Sequence, residues 1–168
     1  MKPIFAVLFF LFSLTAQAQT HCKSQEETLF SCSTAGKKVI SVCARNGLVE
    51  YRFGLSGKPE MLVPLQQKRE KTDAGAFLTV NGGTGGFLRF RKSDYAYVVY
   101  WSLTRGAWQK DGMRDWVYQA GVVAEQKGKK LANVKCGKQA ADDSITREEL
   151  EKQLGFPPNK DMEGFDFP

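Results

Sequence analysis

The sequence predicts an all-β fold, an antiparallel sandwich or small barrel of about seven or eight strands braced by disulfides, with a short C-terminal helix and tail. Three observations carry this expectation. Short apolar segments alternate with glycine-centred turns between residues 28 and 136, the pattern of hairpins and not of crossover helices. Four cysteines, Cys22, Cys32, Cys43 and Cys136, fall in or beside the same region. Past Cys136 the strand-like alternation gives way to a charged stretch of helical character.

Residues 1–18 read as a secretory signal peptide. Lys2 gives a basic start, and the apolar run from Ile4 to Leu14 is too short to span a bilayer. Ala16-Gln17-Ala18 supplies the small-x-small pattern cut by signal peptidase. Cleavage after Ala18 would leave a periplasmic or secreted chain beginning at Gln19. Gln19, Thr20 and His21 are not the small apolar residues that precede a lipoprotein cysteine, so neither a lipid anchor nor a membrane span is expected.

In an oxidising compartment an even number of cysteines reads as disulfides. A zinc site is disfavoured, because no two cysteines have C-x-x-C spacing and the chain holds 1 histidine. Of the three possible connectivities, the preferred one joins Cys32 to Cys136, first strand to last, and leaves Cys22 with Cys43.

The β domain, 19–136, takes its elements in order. Thr28 to Cys32 and Lys38 to Cys43 flank a turn at Ala35-Gly36. Leu48 to Phe53 alternates, with Val49, Tyr51 and Phe53 on one side and Glu50 and Arg52 on the other. The chain turns at Gly54 to Gly57 and returns along Met61 to Leu65. Ala76 to Val80 leads into the glycine cluster Gly82 to Gly86, read as a flexible connection. Phe87 to Arg91 and Tyr95 to Trp101 form a hairpin. If Ser93 centres its turn, Leu88 and Phe90 share a face with Ala96, Val98 and Tyr100, and Arg89, Arg91, Tyr95, Tyr97 and Trp101 take the other. A one-residue slip would invert that partition. Ser102 to Tyr118 is a long connection, and Gln119 to Glu125 with Leu131 to Cys136, turning at Lys127-Gly128, closes the domain. In the extension 137–168, Thr146 to Glu149 has capping-box form and Leu150 and Leu154 share a helical face. Pro157-Pro158 stops the helix, and Phe165 and Phe167 tip an acidic tail that either frays or docks its rings on the body.

The net charge of +6 is unevenly placed. Residues 19–136 carry 19 Lys and Arg against 10 Asp and Glu, whereas 137–168 carry 4 against 8. A basic body suggests a tail that folds back on it or an anionic partner, with ordinary solubilising charge as the alternative. Outside the cytoplasm that partner is a protein or an anionic envelope component, not nucleic acid.

Catalytic machinery is hard to assemble, and neither an enzyme nor a cofactor is expected. His21 lies near the expected mature N-terminus, where backbone is usually mobile, so it is a poor general base. Gln19-Thr20-His21 has the spacing that can wrap Cu(II) in a square plane, but such tripeptides arise by chance and no metal is expected. Glu50, Glu60, Glu70, Asp73, Asp94, Asp111, Asp115 and Glu125 form no recognisable acid–base pair. The glycine cluster lacks the Lys-Ser/Thr of a phosphate loop.

The best functional candidates lie between Ser102 and Tyr118. Arg105, Trp108, Lys110, Arg114, Trp116 and Tyr118 are residue types that supply interface hot spots. Gly85 and Gly86 could let a partner approach bare backbone beside them. Trp108 and Trp116 could equally plug the end of a barrel. A second candidate is an anionic-ligand face of Arg89, Arg91, Tyr95 and Tyr97. A hydrolase of unknown type is a further alternative.

The blocks Leu29-Phe30-Ser31-Cys32, Lys38-Val39-Ile40-Ser41-Val42-Cys43, Tyr51-Arg52-Phe53-Gly54, Tyr97-Val98-Val99-Tyr100 and Gly121-Val122-Val123 resemble a family of small exported bacterial proteins of unsettled activity. More loosely, the layout is similar to the periplasmic lysozyme inhibitors, notably the membrane-bound inhibitor of c-type lysozyme. Those are small β barrels whose Ser-Gly-x-x-Tyr and Trp-x-Lys-Gly elements reach the lysozyme cleft. Trp108-Gln109-Lys110-Asp111-Gly112 matches the second with one extra residue, and Gly85-Gly86-Phe87 stands nearest the first without its serine. The resemblance implies a binding protein that occludes a partner's cleft, with Trp108 and Lys110 as contact residues. Oligomeric state is not legible.

Overall fold

A computed structural model describes residues 19–66, 73–78, 83–140, 165 and 167–168. The expected signal peptide, 1–18, and the expected helix at Thr146 to Leu154 lie outside the described residues. Nine strands are described: β1 Glu27–Thr34, β2 Lys38–Arg45, β3 Leu48–Leu55, β4 Lys58–Pro64, β5 Ala74–Leu78, β6 Thr84–Lys92, β7 Tyr95–Trp108, β8 Arg114–Gln126 and β9 Lys129–Ala140. All pair antiparallel in one sheet of order β4-β3-β2-β1-β9-β8-β7-β6-β5.

Turn chemistry explains why neighbours in sequence are neighbours in the sheet. Asn46-Gly47 and Lys127-Gly128 place both central residues at positive φ, with values of 52° and 75°, and 49° and 77°. That mirror-image turn matches the right-handed twist of the strands it joins. Two meanders result, β1–β4 and β5–β9. They meet where β1 pairs with β9, through Cys32 opposite Ala140 and Thr34 opposite Cys136.

The sheet curls until β4 approaches β6, enclosing one apolar cluster drawn from both meanders. Tyr51 on β3 lies 5.7 Å from the Phe90 ring and stacks on Tyr97 at 5.6 Å, so the two halves touch across the interior. Burial of the Tyr51 phenol holds its ionisation well above the usual range. The architecture is sandwich-like, continuous through the β1–β9 seam and bounded by edge strands β4 and β5.

Two disulfides fasten it, Cys32–Cys136 across the seam and Cys22–Cys43 onto β2. They are the mark of an oxidising compartment. Among the described residues no helix is long and apolar enough to cross a membrane.

Three sequence expectations need correction. The β6–β7 turn has two residues, Ser93 and Asp94, with Ser93 at φ 53°, and is not centred on Ser93. Phe90 therefore pairs with Tyr97 and Leu88 with Val99, which puts Tyr97 and Trp101 in the core and Val98 and Tyr100 on the outer face with Arg89. The slip inverts the faces because side chains alternate with period two.

The glycine cluster is not a free connection at its end, since Gly85 and Gly86 are buried inside β6. Gly86 sits opposite Trp101, and a Cβ there would stand 2.5 Å from the indole Cζ2. The bare backbone is needed to admit that ring.

His21 is not at a mobile end. Its amide donates to Ser41 Oγ at 3.0 Å, its carbonyl accepts from Arg52 Nη1 at 2.8 Å, and its ring Nε2 meets Gly54 O at 3.3 Å. A carbonyl only accepts, so Nε2 carries the proton in that contact. A square-planar copper chelate would need the His21 amide nitrogen, which is engaged with Ser41 Oγ, and the ring Nδ1, which is buried. The adjacent Cys22–Cys43 bridge is what pins this segment to the sheet.

Candidate partner-binding site

Residues 102–118 do not form a decorated loop. They are the far ends of β7 and β8, which run on beyond the sheet as a two-stranded arm. Thr84 of β6 pairs with Leu103, and the β8–β9 ladder begins at Gly121. Among the described residues, Thr104–Trp108 and Arg114–Val117 pair only with each other. Five residues of β7 thus project about 15 Å at the usual strand rise.

The arm has one chemically distinct face. Arg105 stands opposite Trp116, and Trp108 opposite Arg114. The Arg105 guanidinium lies 3.8 Å from the Trp116 ring centroid, and that of Arg114 lies 5.3 Å from Trp108. Trp108 is three residues beyond Arg105 and would face the other way on an unbroken strand. A bulge at Gly106-Ala107 adds the residue that turns it back. Arg114 holds the bulge, donating from Nε to Gly106 O at 2.6 Å and from Nη2 to Arg105 O at 3.1 Å. Arg105 returns a bond from Nη1 to Arg114 O at 3.1 Å.

The tip is ordered as well. Gln109 N–H donates to Met113 O, Gly112 N–H to Gln109 O, and Met113 N–H to Asp111 Oδ1. The Gln109 amide contacts the Asp115 carboxylate. Lys110 is exposed at this tip.

Trp108 is 74 % exposed and Trp116 43 %, which overturns the barrel-plug alternative for both; the tryptophan in the core is Trp101. Leu103, Arg105, Trp116 and Tyr118 continue the core-facing side of Trp101 and Ala120 out into solvent. The structure thus brings together Arg105, Trp108, Lys110, Arg114 and Trp116, and leaves Gly85 and Gly86 buried in the body. Tyr118 and the bulge residue Gly106 complete the face. The Arg114-x-Trp116-x-Tyr118 alternation was visible in the sequence as a strand signal.

The second candidate set divides. Arg89, Arg91 and Tyr95 line a cleft of about 440 Å³ at the β6–β7 and β8–β9 turns, with Asp94, Glu125 and Lys127. Tyr97 is on the opposite side of β7, stacked on Tyr51. Arg89 is buried beside Glu125 at 3.5 Å, and Arg91 Nε bonds Asp73 at 2.8 Å.

Several body carboxylates are engaged with cations, whereas Asp111 and Asp115 accept from amides of the arm's tip. Glu60 meets Lys38, Glu50 meets Arg52, and Asp94 meets Lys127. The deepest cluster joins Arg52 to both Glu26 and Glu50 at 2.6 Å. The Arg52 hydrogen bond holds the Glu26 carboxyl down at about 2 despite burial, and Glu26 in turn raises Arg52. Among the described residues no group of His, Cys, Asp and Glu could hold a metal ion.

Comparison with protein-family models, curated proteins and solved structures finds no match for this chain.

Proposed function

We propose that this is a non-enzymatic binding protein, exported after cleavage of residues 1–18, that inserts the β7–β8 arm into a cleft of a partner protein. The observation that carries the reading is Trp108, a large aromatic side chain held by Arg114 on an ordered arm and yet 74 % exposed. Exposed aromatics are expensive to keep in water, and rigid Trp–Arg pairs are the anchors interfaces use. The arm is preorganised by its bulge and tip hydrogen bonds, so little ordering entropy would be lost on contact. Lysozymes are the first partner to test, with Lys110 at the tip facing the carboxylates of their cleft.

The test is binding of the oxidised chain from Gln19 onward to c-, g- and i-type lysozymes at physiological salt, with a lytic assay alongside. Submicromolar binding to one class, with lysis lost and then restored by Trp108→Ala/Lys110→Ala, is the expected result. Absence of binding to all three removes the lysozyme reading.

A second reading places an anionic envelope glycan or lipid at the cleft of Arg89, Arg91 and Tyr95, where Arg91 and Lys127 expose their cations beside Asp73 and Asp94 while Arg89 is buried on Glu125. Salt separates the two, since counter-charge binding at exposed groups weakens with screening and a packed arm interface persists.

A further inference from the structure

The outer face of β6, β7 and β8 is apolar where the outer side of an antiparallel sheet is ordinarily polar. Phe87, Val98, Tyr100 and Val123 form a cluster there, separate from the main core. Gly121 gives the patch its floor. It stands opposite Tyr100, and a Cβ on it would lie 3.0 Å from the Tyr100 hydroxyl and 2.5 Å from Val134 O. Without that Cβ the Tyr100 side chain reaches across β8, and its hydroxyl donates to Asn133 Oδ1 at 3.0 Å.

Two rings from far along the chain cover this groove. Phe165 lies 5.1 Å from Phe87 and 5.8 Å from Tyr100, and is 8 % exposed. Phe167 meets Tyr100 edge-on at 6.1 Å and Phe165 at 5.1 Å. Tilted and edge-on ring pairs of this kind add attraction beyond the area they bury. Two aromatic anchors spaced i and i+2 on an apolar sheet face are the elements of peptide recognition, and any segment with that spacing can present them.

We propose that this outer-face groove is a docking site for a Phe-x-Phe segment, held in cis by residues 165–167, and that a partner segment of the same chemistry binds by displacing them. The site is independent of the arm. A tethered segment competes at an effective concentration near the millimolar range. If the free peptide has an intrinsic Kd of about 0.1 mM, the resident segment weakens its apparent binding roughly tenfold.

The probe is a fluorescein-labelled hexapeptide of residues 163–168, titrated against the oxidised protein and its Phe165→Ala/Phe167→Ala variant. Methyl NMR of Val98 and Val123 reports the site. Binding to the variant roughly tenfold tighter than to the unaltered protein is expected. The Val98 and Val123 signals should move, and a peptide with both phenylalanines changed to alanine should not bind. A folded variant that ignores the peptide overturns the proposal, as does binding that leaves those methyls unmoved. If the double variant does not fold, Phe167→Ala decides: tighter binding than the unaltered protein upholds displacement, and unchanged binding rejects it.

Discussion

The Arg105 guanidinium lies 3.8 Å from the Trp116 ring, directly across the β7–β8 ladder, and Arg114 repeats the contact on Trp108 with the strands exchanged. Each rung thus pairs one cation with one indole. Stacking of this kind contributes about 0.5–1 kcal/mol at an exposed site. It is too little to explain the arm as a stabilising device, and enough to fix the rings in place. The arm is better understood as a surface held ready for contact.

Exposure of the arm tryptophans has a direct optical consequence. Acrylamide should quench Trp108 and Trp116 readily and Trp101 hardly at all, because Trp101 is 4 % exposed. Trp108→Phe should remove much of the quenchable emission, whereas Trp101→Phe should leave it. Trp108→Ala should cost under about 1 kcal/mol by thermal unfolding. A loss of about 3 kcal/mol or more would instead mark a core residue.

Arg52 is a buried cation serving two carboxylates and the His21 carbonyl. Arg52→Met should destabilise the protein by about 1–3 kcal/mol, since it leaves the partly buried Glu26 carboxylate and the buried His21 carbonyl without their charged donor. The same pair sets an acid limit. Glu26 has a folded value of about 2 against 4.5 unfolded, so between these the unfolded chain binds more protons. Its contribution is fully present above pH 4.5 and is lost as pH falls toward 2. Urea midpoints taken between pH 6 and pH 2 should decline over that window, and Glu26→Gln should flatten the decline.

How much of this was legible in the sequence varies with the element. Most hairpins follow from local turn residues, and the presence of disulfides from compartment logic, which by itself leaves three connectivities open. The face partition of β6 and β7 did not, because Ser93-Asp94 closes a tighter turn than a three-residue connection and period two magnifies the slip. A different signal lay in the same stretch. Ala96 to Trp101 is apolar or aromatic at every position, which marks a strand covered on both sides. The outer cover is Phe165 and Phe167, too distant in sequence for any local pattern to place. The arm was hidden for another reason: Gly106, Gly112 and the charges between them read as loop, while one glycine sits in a bulge and the other in the tip. Arg52 looked like a solvated position on an alternating strand, because its partner Glu26 lies before β1.

Gly86 tests the packing of the β6–β7 core. Gly86→Ala would put a methyl 2.5 Å from Trp101 Cζ2 and 2.7 Å from Gly75 O, and should cost about 1–3 kcal/mol. In a Trp101→Phe background the cost should shrink, since the atoms met first are those of the indole's outer ring. A double-mutant cycle read by denaturant unfolding measures that coupling. Additive losses would mean that the ring does not lie on the glycine.

The two disulfides should prove unequal, for two separate reasons. Cys32–Cys136 closes a separation of 104 residues and Cys22–Cys43 one of 21. Chain entropy alone then gives about 4.7 kcal/mol for the first and about 3.3 for the second. Position widens the gap. Cys32–Cys136 crosses the seam where β1 and β9 form a short, irregular ladder, so it carries much of the connection between the meanders. Cys22–Cys43 lies within one meander, holding only the segment around His21 to β2. Cys32→Ala/Cys136→Ala should therefore lower the melting temperature more than Cys22→Ala/Cys43→Ala. It should also let amide exchange in β2 and β3 diverge from that in β7 and β8. The other double variant should raise exchange locally, at the His21 amide and its Ser41 contact. Equal losses, or exchange that stays uniform without the seam bridge, would show that the β1–β9 ladder joins the halves unaided.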